Sequence, residues 1–477
     1  MRPGAVAVIG ILIIALLFGA LYIFAPGKDD GEKTPIKEET NLPDENKNKT
    51  EAEPPVQQEN PGEAVTPEAP EEPTIPTEPE NPAEPEKPVE PETPTEPETP
   101  TQPTTPTQPT TPEKPKPSGN ETRLSFVAFG DNLIHSAIIE DGETLAKNSG
   151  SDKKYYFEPM YENFKGIISG ADIAFINQET PIAGPDFPAA GYPNFNTPVE
   201  MGDCLVNLGF DVINTATNHM LDCRGAGLIH HVDYWESQKS KGVIQVGSYK
   251  NKEDYNNIRV YEKDGVKIAF LAYTYGTNGM TAGSSYPDIY VPLPTESEMT
   301  RQVKEAKELA DLVFVSMHWG DEDSFTPNAT QRSWAQVLVD AGADVIIGTH
   351  PHVVQEVKWK ENAEGHKTLI VYSLGNFIST MYYPWNMFGG YLSLEIVKDG
   401  DNAWIESPLF NPTMCHYSMQ RRSLKLYTLD NYSQELYDTH GTTLKSSAYS
   451  YNKIIAKIKS VISEEFLPKY YIEYNAN

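Results

Sequence analysis

The sequence predicts an α/β domain set behind an N-terminal membrane anchor and an unfolded linker. Three observations carry this. Residues 5–25 form an unbroken apolar run, residues 27–120 are acidic and dense in proline, and from residue 124 short apolar strands alternate with helices. The boundaries read as an anchor at 1–26, a stalk at 27–120, a domain at 121–410 and a C-terminal extension packing on it at 411–477.

The apolar run AVAVIGILIIALLFGALYIFA extends over roughly 30 Å at about 1.5 Å per residue, the thickness of a bilayer core. Arg2 precedes it, and Asp29, Asp30 and Glu32 follow. The positive side stays in the cytoplasm, so the expectation is a single-pass protein of the cell membrane with its C-terminal domain extracytoplasmic. The rival reading is a cleaved signal peptide. Against it, the run is long, and bulky Phe18 and Ile23 stand at the −3 position of the candidate sites near Ala20 and Ala25. No cysteine follows closely, which argues against a lipoprotein.

Residues 27–120 hold 23 of the 40 prolines and half of the net charge of −30. With almost no aliphatic side chains, this stretch cannot offset its chain entropy by burial and is expected to stay unfolded. Proline falls at every third position from Pro67 to Pro115. That is the turn of a polyproline II helix, so the prolines share one face and the stretch reaches roughly 150 Å when extended. Glutamate and threonine between them keep it solvated. The functional reading is a stalk that lifts the domain into or across a cell wall; the bland one is unordered filler.

The acidic balance excludes nucleic acid, which is bound by clustered Lys and Arg, and opposes tight association with an anionic lipid surface. Three cysteines, Cys204, Cys223 and Cys415, are too few for a disulfide scaffold. Cys204 and Cys223 either pair after export or remain buried thiols.

Within the domain, short runs rich in Val, Ile and Phe predict strands at 124–129, 172–177, 211–215, 267–273, 312–317, 344–347, 368–373 and 391–397. Helices are predicted at 199–208, 227–239, 296–310 and 330–341. Pro198 suits a helix start and Gly209 a helix end. The alternation argues for an α/β fold. Residues 274–294 read as a long surface loop and 449–466 as an amphipathic closing helix.

The chemistry lies in where the polar residues fall. Strand after strand runs directly into them: FVAFG into Asp131, IAFIN into Gln178 and Glu179, VINTAT into Asn218 and His219, LVFVSM into His318, VIIGT into His350, Pro351 and His352, and VYSLG into Asn376. In open α/β sheets the loops at strand carboxyl ends converge, and ligands bind there. Carboxylates, amides and imidazoles together make a metal site with mixed oxygen and nitrogen donors. Singly, an Asp or Asn after a strand is usually a turn former, and a lone His is usually a hydrogen-bonded structural residue. His350 and His352 are stronger, because side chains two apart on an extended segment point the same way. His230, His231, His366, His416 and His440 lack that context and read as structural or surface residues.

The order GDN, NQET, TNH, HWGDE, GTHPHVVQ, SLGNF resembles the CapA (PgsA) family of poly-γ-glutamate capsule proteins, a branch of the calcineurin-like metallophosphoesterases. The resemblance covers roughly 124–410, and it implies a four-layer α/β sandwich holding one or two divalent ions, Mn, Fe or Zn. By motif, Asp131 stands for the first metal aspartate and Glu179 for the bridging carboxylate. Asn218 stands for the metal-binding asparagine and, with His219, for the catalytic pair; His219 contacts the scissile group. His318 and His350 stand for ligands of one metal and His352 for a ligand of the other. One departure stands out: the family superfold usually opens with Asp-x-His, and here the third position is Leu133. The first ion is left one ligand short unless His135 substitutes.

The implied activity is metal-dependent hydrolysis of a phosphoester or of an amide in a γ-glutamyl polymer. The alternative is a non-catalytic assembly or export component of a membrane capsule-synthesis complex. Expected partners are poly-γ-glutamate, capsule-synthesis subunits and, through residues 5–25, the bilayer. An acidic domain repels such a polyanion unless a metal or a local basic patch intervenes. A wall-anchored adhesin fits the stalk but not the residues at the strand ends.

Overall fold

Fourteen strands can be traced in the computed structural model, which describes residues 121–150, 152–442 and 450–474. In chain order they are β1 (Thr122–Asn132), β2 (Ile173–Gln178), β3 (Val212–Asn214), β4 (Ile244–Val246), β5 (Arg259–Lys263), β6 (Val266–Thr274) and β7 (Leu312–His318), followed by β8 (Val345–Thr349), β9 (Val354–Glu361), β10 (Lys367–Leu374), β11 (Asn376–Ile378), β12 (Phe388–Asp399), β13 (Asn402–His416) and β14 (Lys425–Thr428). The expected anchor and stalk lie outside the described residues. Among the described residues no helix is long and apolar enough to cross a membrane.

The strands form two sheets. One runs in the order β14-β13-β12-β1-β2-β3-β4, with β11 pairing β1; the other runs β5-β6-β7-β8-β10-β9. In the first, β1 to β4 are mutually parallel, and β12 to β14 extend the sheet as an antiparallel meander. In the second, β6, β7, β8 and β10 are parallel, with antiparallel β5 and β9 at the edges.

Side-chain parity explains why two such sheets pack face to face. In β7, Leu312 and Phe314 enter the core shared with the first sheet, while Val313, Val315 and Met317 enter a second cluster on the far face. The period-two alternation of a strand buried on both sides produces this division. Between the sheets, Phe126 of β1 meets Phe314 edge-on at 5.0 Å, and Phe175 of β2 stacks on Phe270 at 6.3 Å. Phe129, of opposite parity, packs on the outer face against Phe164 and Phe210. Helices Glu296–Lys307 and Ala329–Ala341 cover the second sheet with Met299, Val303, Leu338 and Val339. Asn328 and Gln331 form a capping box at the start of the latter, and Gly342 closes it in a left-handed conformation.

Every strand predicted from apolar runs is present. The shorter or more polar β4, β5, β9, β11, β13 and β14, and helix Ser136–Ser149, were not predicted. The boundary expected at 410 falls within one strand. β13 runs straight through that boundary, and Ile454, Ile455 and Ile458 of helix Tyr451–Val461 belong to the domain's main hydrophobic core. The three cysteines are buried free thiols.

Two close approaches fix the edge where the strand ends meet. A Cβ on Gly130 would collide with the carbonyl oxygen of Gly375, so glycine lets the GDN and SLGNF segments lie against each other. The Asp131 N–H then donates to Gly375 O at 3.0 Å. Further along, the His231 ring, wholly buried in helix Arg224–Gln238, accepts the Ile182 N–H on Nδ1 at 2.9 Å and pins the loop that leaves β2. Burial holds its pKa down at about 3.

Gly130→Ala is expected to cost about 1–3 kcal/mol in urea denaturation, because β1 must move off the glycine loop. His231 should also shape acid stability. The unfolded chain takes up a proton near pH 6.5 that the folded chain refuses until about 3. Its contribution is therefore full above 6.5 and falls as pH drops through that window. Compared with wild type, His231→Gln should flatten the stability profile there by about 1.4 kcal/mol per pH unit.

Candidate metal centre

Parallel strands deliver their carboxyl ends to one edge, and both sheets contribute. Asp131 is the penultimate residue of β1, Glu179 lies just past β2, and Asn218 and His219 lie in the loop after β3. His318 ends β7, and His350 and His352 follow β8. The two sheets meet here: His318 Nε2 is 3.0 Å from Asn218 Oδ1.

Glu179 is at the centre. Its carboxylate is wholly buried, and neither oxygen has a hydrogen-bond partner. Oε1 lies 3.8 Å from His318 Nε2 and 3.7 Å from His352 Nε2. Three overlapping groups have donor atoms within 4.8 Å of one another: Glu179 with His318 and His350, Asp131 with Glu179 and His352, and Glu322 with His350 and His352. Glu179 belongs to two of them, which suits a bridging position. Buried carboxylates are normally hydrogen-bonded or paired. A carboxylate without donors, ringed by imidazoles, fits a divalent cation. His350 Nδ1, also buried and unpartnered, adds a donor.

The surroundings orient these side chains. Asp131 Oδ1 accepts from Asn177 Nδ2 at 2.7 Å, and Asn177 Oδ1 accepts from Asn214 Nδ2 at 2.6 Å, an amide relay across β1, β2 and β3. Thr349 Oγ1 is 3.0 Å from His318 Nδ1, which leaves Nε2 facing Glu179. His219 Nδ1 is 2.9 Å from Asp222 Oδ2, and Asp222 is itself held by the Phe195 N–H at 2.8 Å.

His350 and His352 converge by a different route from the one expected. The segment is not extended; both residues sit at positive φ, 95° and 58°, around Pro351. A left-handed turn brings the rings to 5.8 Å. Such backbone is costly outside glycine and collects at functional sites.

Burial holds His318 and His350 well below the usual imidazole range, and the neighbouring imidazoles add to the effect. Both are neutral and able to ligate. Burial also pushes the Glu179 carboxyl well up. On His352 burial acts downward, but Glu179 and then Asp131 overcome it and hold the ring at about 10. The Glu179 carboxyl and the His352 ring share one proton. Two carboxylates face the His352 ring, and that favours the proton on the imidazole. A cation bound here would displace it.

Leu133 is buried, and its N–H donates to Ile378 O. His135 joins none of the three groups, and its Nδ1 accepts the Thr380 N–H at 3.4 Å. His416 and His440 are tied to Tyr432 and to the Cys415 carbonyl. Four residues at the site were absent from the expected set. Glu322 lies within the HWGDE motif, and Asp222 is one turn after His219. The Tyr275 ring lies tilted against His350 at 4.5 Å, and Asn278 approaches Asn218 at 3.4 Å. The last two come from the 274–294 loop, which therefore helps wall the site.

Residues 125–381 match the family described as bacterial capsule synthesis protein PGA_cap, more than half of the chain. The chain belongs to that family. The PGA biosynthesis protein CapA of Bacillus subtilis (strain 168) is 27% identical over 312 residues, covering 63% of this chain and 78% of that one. The capsule biosynthesis protein CapA of Bacillus anthracis is 35% identical over 175 residues, covering 36% of this chain and 40% of that one. Among solved structures, the calcineurin-like phosphoesterase YfkN of Bacillus subtilis aligns at 14% identity with a TM-score of 0.33, over 61% of this chain and 90% of that one. All of the residues grouped around Glu179 fall inside the PGA_cap match.

Removing divalent ions with a chelator should lower Tm. Mn²⁺ or Zn²⁺ at a hundred times Kd should return about 2.7 kcal/mol of stability. Glu179→Gln should lose that metal-dependent part. A wild-type Tm indifferent to both treatments contradicts the assignment.

Proposed function

We propose that this PGA_cap protein is a CapA-type, metal-dependent hydrolase of poly-γ-glutamate capsule synthesis or processing, built on a calcineurin-like centre and held outside the membrane by residues 5–25. The observation that carries the reading is the orphaned Glu179 carboxylate among three imidazoles. Asp131, Glu179, Asn218, His318, His350 and His352 would hold one or two ions, and the imidazoles suit Mn, Fe or Zn better than Ca. When bound, such an ion polarises a phosphoryl or carbonyl oxygen and acidifies water.

The chain's own contribution to turnover centres on His219. Asp222 fixes its ring through Nδ1, leaving Nε2 to pass a proton to a leaving group. An oriented His–Asp pair beside the centre favours chemistry over a purely architectural ion, which needs no proton donor. Glu179 and Asp131 place negative charge deep in the pocket, so a polyanionic substrate requires the cation for approach. The relatives named for PGA and capsule biosynthesis support a γ-glutamyl polymer as the material handled.

With the full chain, Mn²⁺ and bis(p-nitrophenyl) phosphate, His219→Ala is expected to lower kcat by about 10²–10⁴ while bound metal is retained. Unchanged turnover would remove His219 from the mechanism.

A further inference from the structure

Of the residues in the three metal-capable groups, Glu322 alone is exposed; the others are buried. We propose that its carboxylate caps the metal centre from the solvent side as a displaceable ligand, and that an anionic oxygen of the substrate, carboxylate or phosphoryl, takes its place. The inference rests on the metal reading above and goes beyond the six ligands named there.

A Glu322 carboxylate oxygen and one ring nitrogen each of His350 and His352 lie within 4.8 Å of one another. Both rings also belong to groups built on Glu179, His350 together with His318 and His352 together with Asp131. A neutral imidazole has one nitrogen lone pair to give. A separate ion under Glu322 would therefore take both rings away from the inner groups. Glu322 instead adds an oxygen donor to an ion that the inner residues hold. Each inner group offers three such donors, fewer than the four or six that these ions take.

The backbone keeps the carboxylate in place. Glu322 stands in the turn after β7, and that turn is tied on both sides to the one carrying His350 and His352. The Trp319 N–H donates to Thr349 O at 3.1 Å, and the Asp323 N–H donates to Pro351 O at 2.9 Å. Asn386 Nδ2 clamps the two turns together, 2.7 Å from Asp323 Oδ1 and 3.3 Å from His352 O. Gly320 and Asp323 sit at positive φ, 99° and 62°, on either side of Glu322. The arm is thus fixed at its base and solvated at its tip. It can leave an ion for water at little cost, which a buried carboxylate cannot do.

Charge favours exchange over simple addition. Asp131 and Glu179 already bury two carboxylates, and a polyanion arriving beside a bound Glu322 would add to their repulsion. Swapping one carboxylate for another anionic oxygen leaves the charge around the ion unchanged.

The test uses the full chain, with Mn²⁺ alone as the metal probe, followed by the paramagnetic resonance of the free ion, and inorganic phosphate as the anion. Glu322 is exposed, so its variants leave the core intact. Glu322→Ala should bind Mn²⁺ about tenfold more weakly than wild type. Once loaded, it should bind phosphate about tenfold more tightly, as expected for a carboxylate that occupies the ion about nine-tenths of the time. Glu322→Asp keeps the charge and shortens the arm by a methylene, so it should follow the alanine variant in both measurements. An aspartate variant that behaves as wild type while the alanine variant does not would leave only charge acting through space, and would overturn the proposal. So would unchanged Mn²⁺ affinity in both variants, or weaker Mn²⁺ binding without tighter phosphate binding. A wild-type chain that binds no Mn²⁺ would overturn the metal reading itself, an outcome distinct from all of these.

Discussion

A carboxylate taken out of water without a single hydrogen-bond donor is the constraint on which the rest of this domain depends. Desolvating an ionised carboxylate costs several kcal/mol even after relaxation. Glu179 receives no protein donor in return, only imidazole nitrogens at 3.7 and 3.8 Å. Those distances are too long for hydrogen bonds and short enough for a shared ion. The neutrality of His318 and His350 has the same origin: burial strips their protons and leaves lone pairs. A cation satisfies the carboxylate and the imidazoles together, and nothing else among the described residues does so.

The scaffold can be read as the means of assembling that cluster. Two sheets packed through phenylalanines hold their parallel strands so that both sets of carboxyl ends reach one edge. The His318–Asn218 contact spans the junction. Costly backbone is found there as well. His350 and His352 adopt left-handed conformations, and Gly130 permits an approach to the Gly375 carbonyl that any side chain would block. Rigid strands behind short, over-determined turns keep ligands in place before a metal arrives.

Much of this was legible in the sequence, for a physical reason. Strands buried on both faces are nearly continuous apolar runs, so Asp131, Glu179, His318 and His350 stand out as abrupt polar stops. The structure brings together the residues found that way. What escaped has no local signature. β13 carries too many polar residues to read as a strand, because part of it is half-buried rather than core. Asn376 was visible at a strand end, but its register against Asp131 depends on a contact between glycines 245 positions apart in the chain. Tyr275 and Asn278 come from a loop whose composition says only that it is exposed, and the turn at 350–352 defeats the rule for extended segments.

The most direct test of the central claim is a crystal of the domain grown with Mn²⁺ and measured at the manganese absorption edge. The account predicts an anomalous peak within about 2.0–2.5 Å of a Glu179 oxygen, with His318, His350 or His352 nitrogen completing its coordination. A Glu179 carboxylate instead satisfied by protein or water donors, with no anomalous density beside it, would contradict the account.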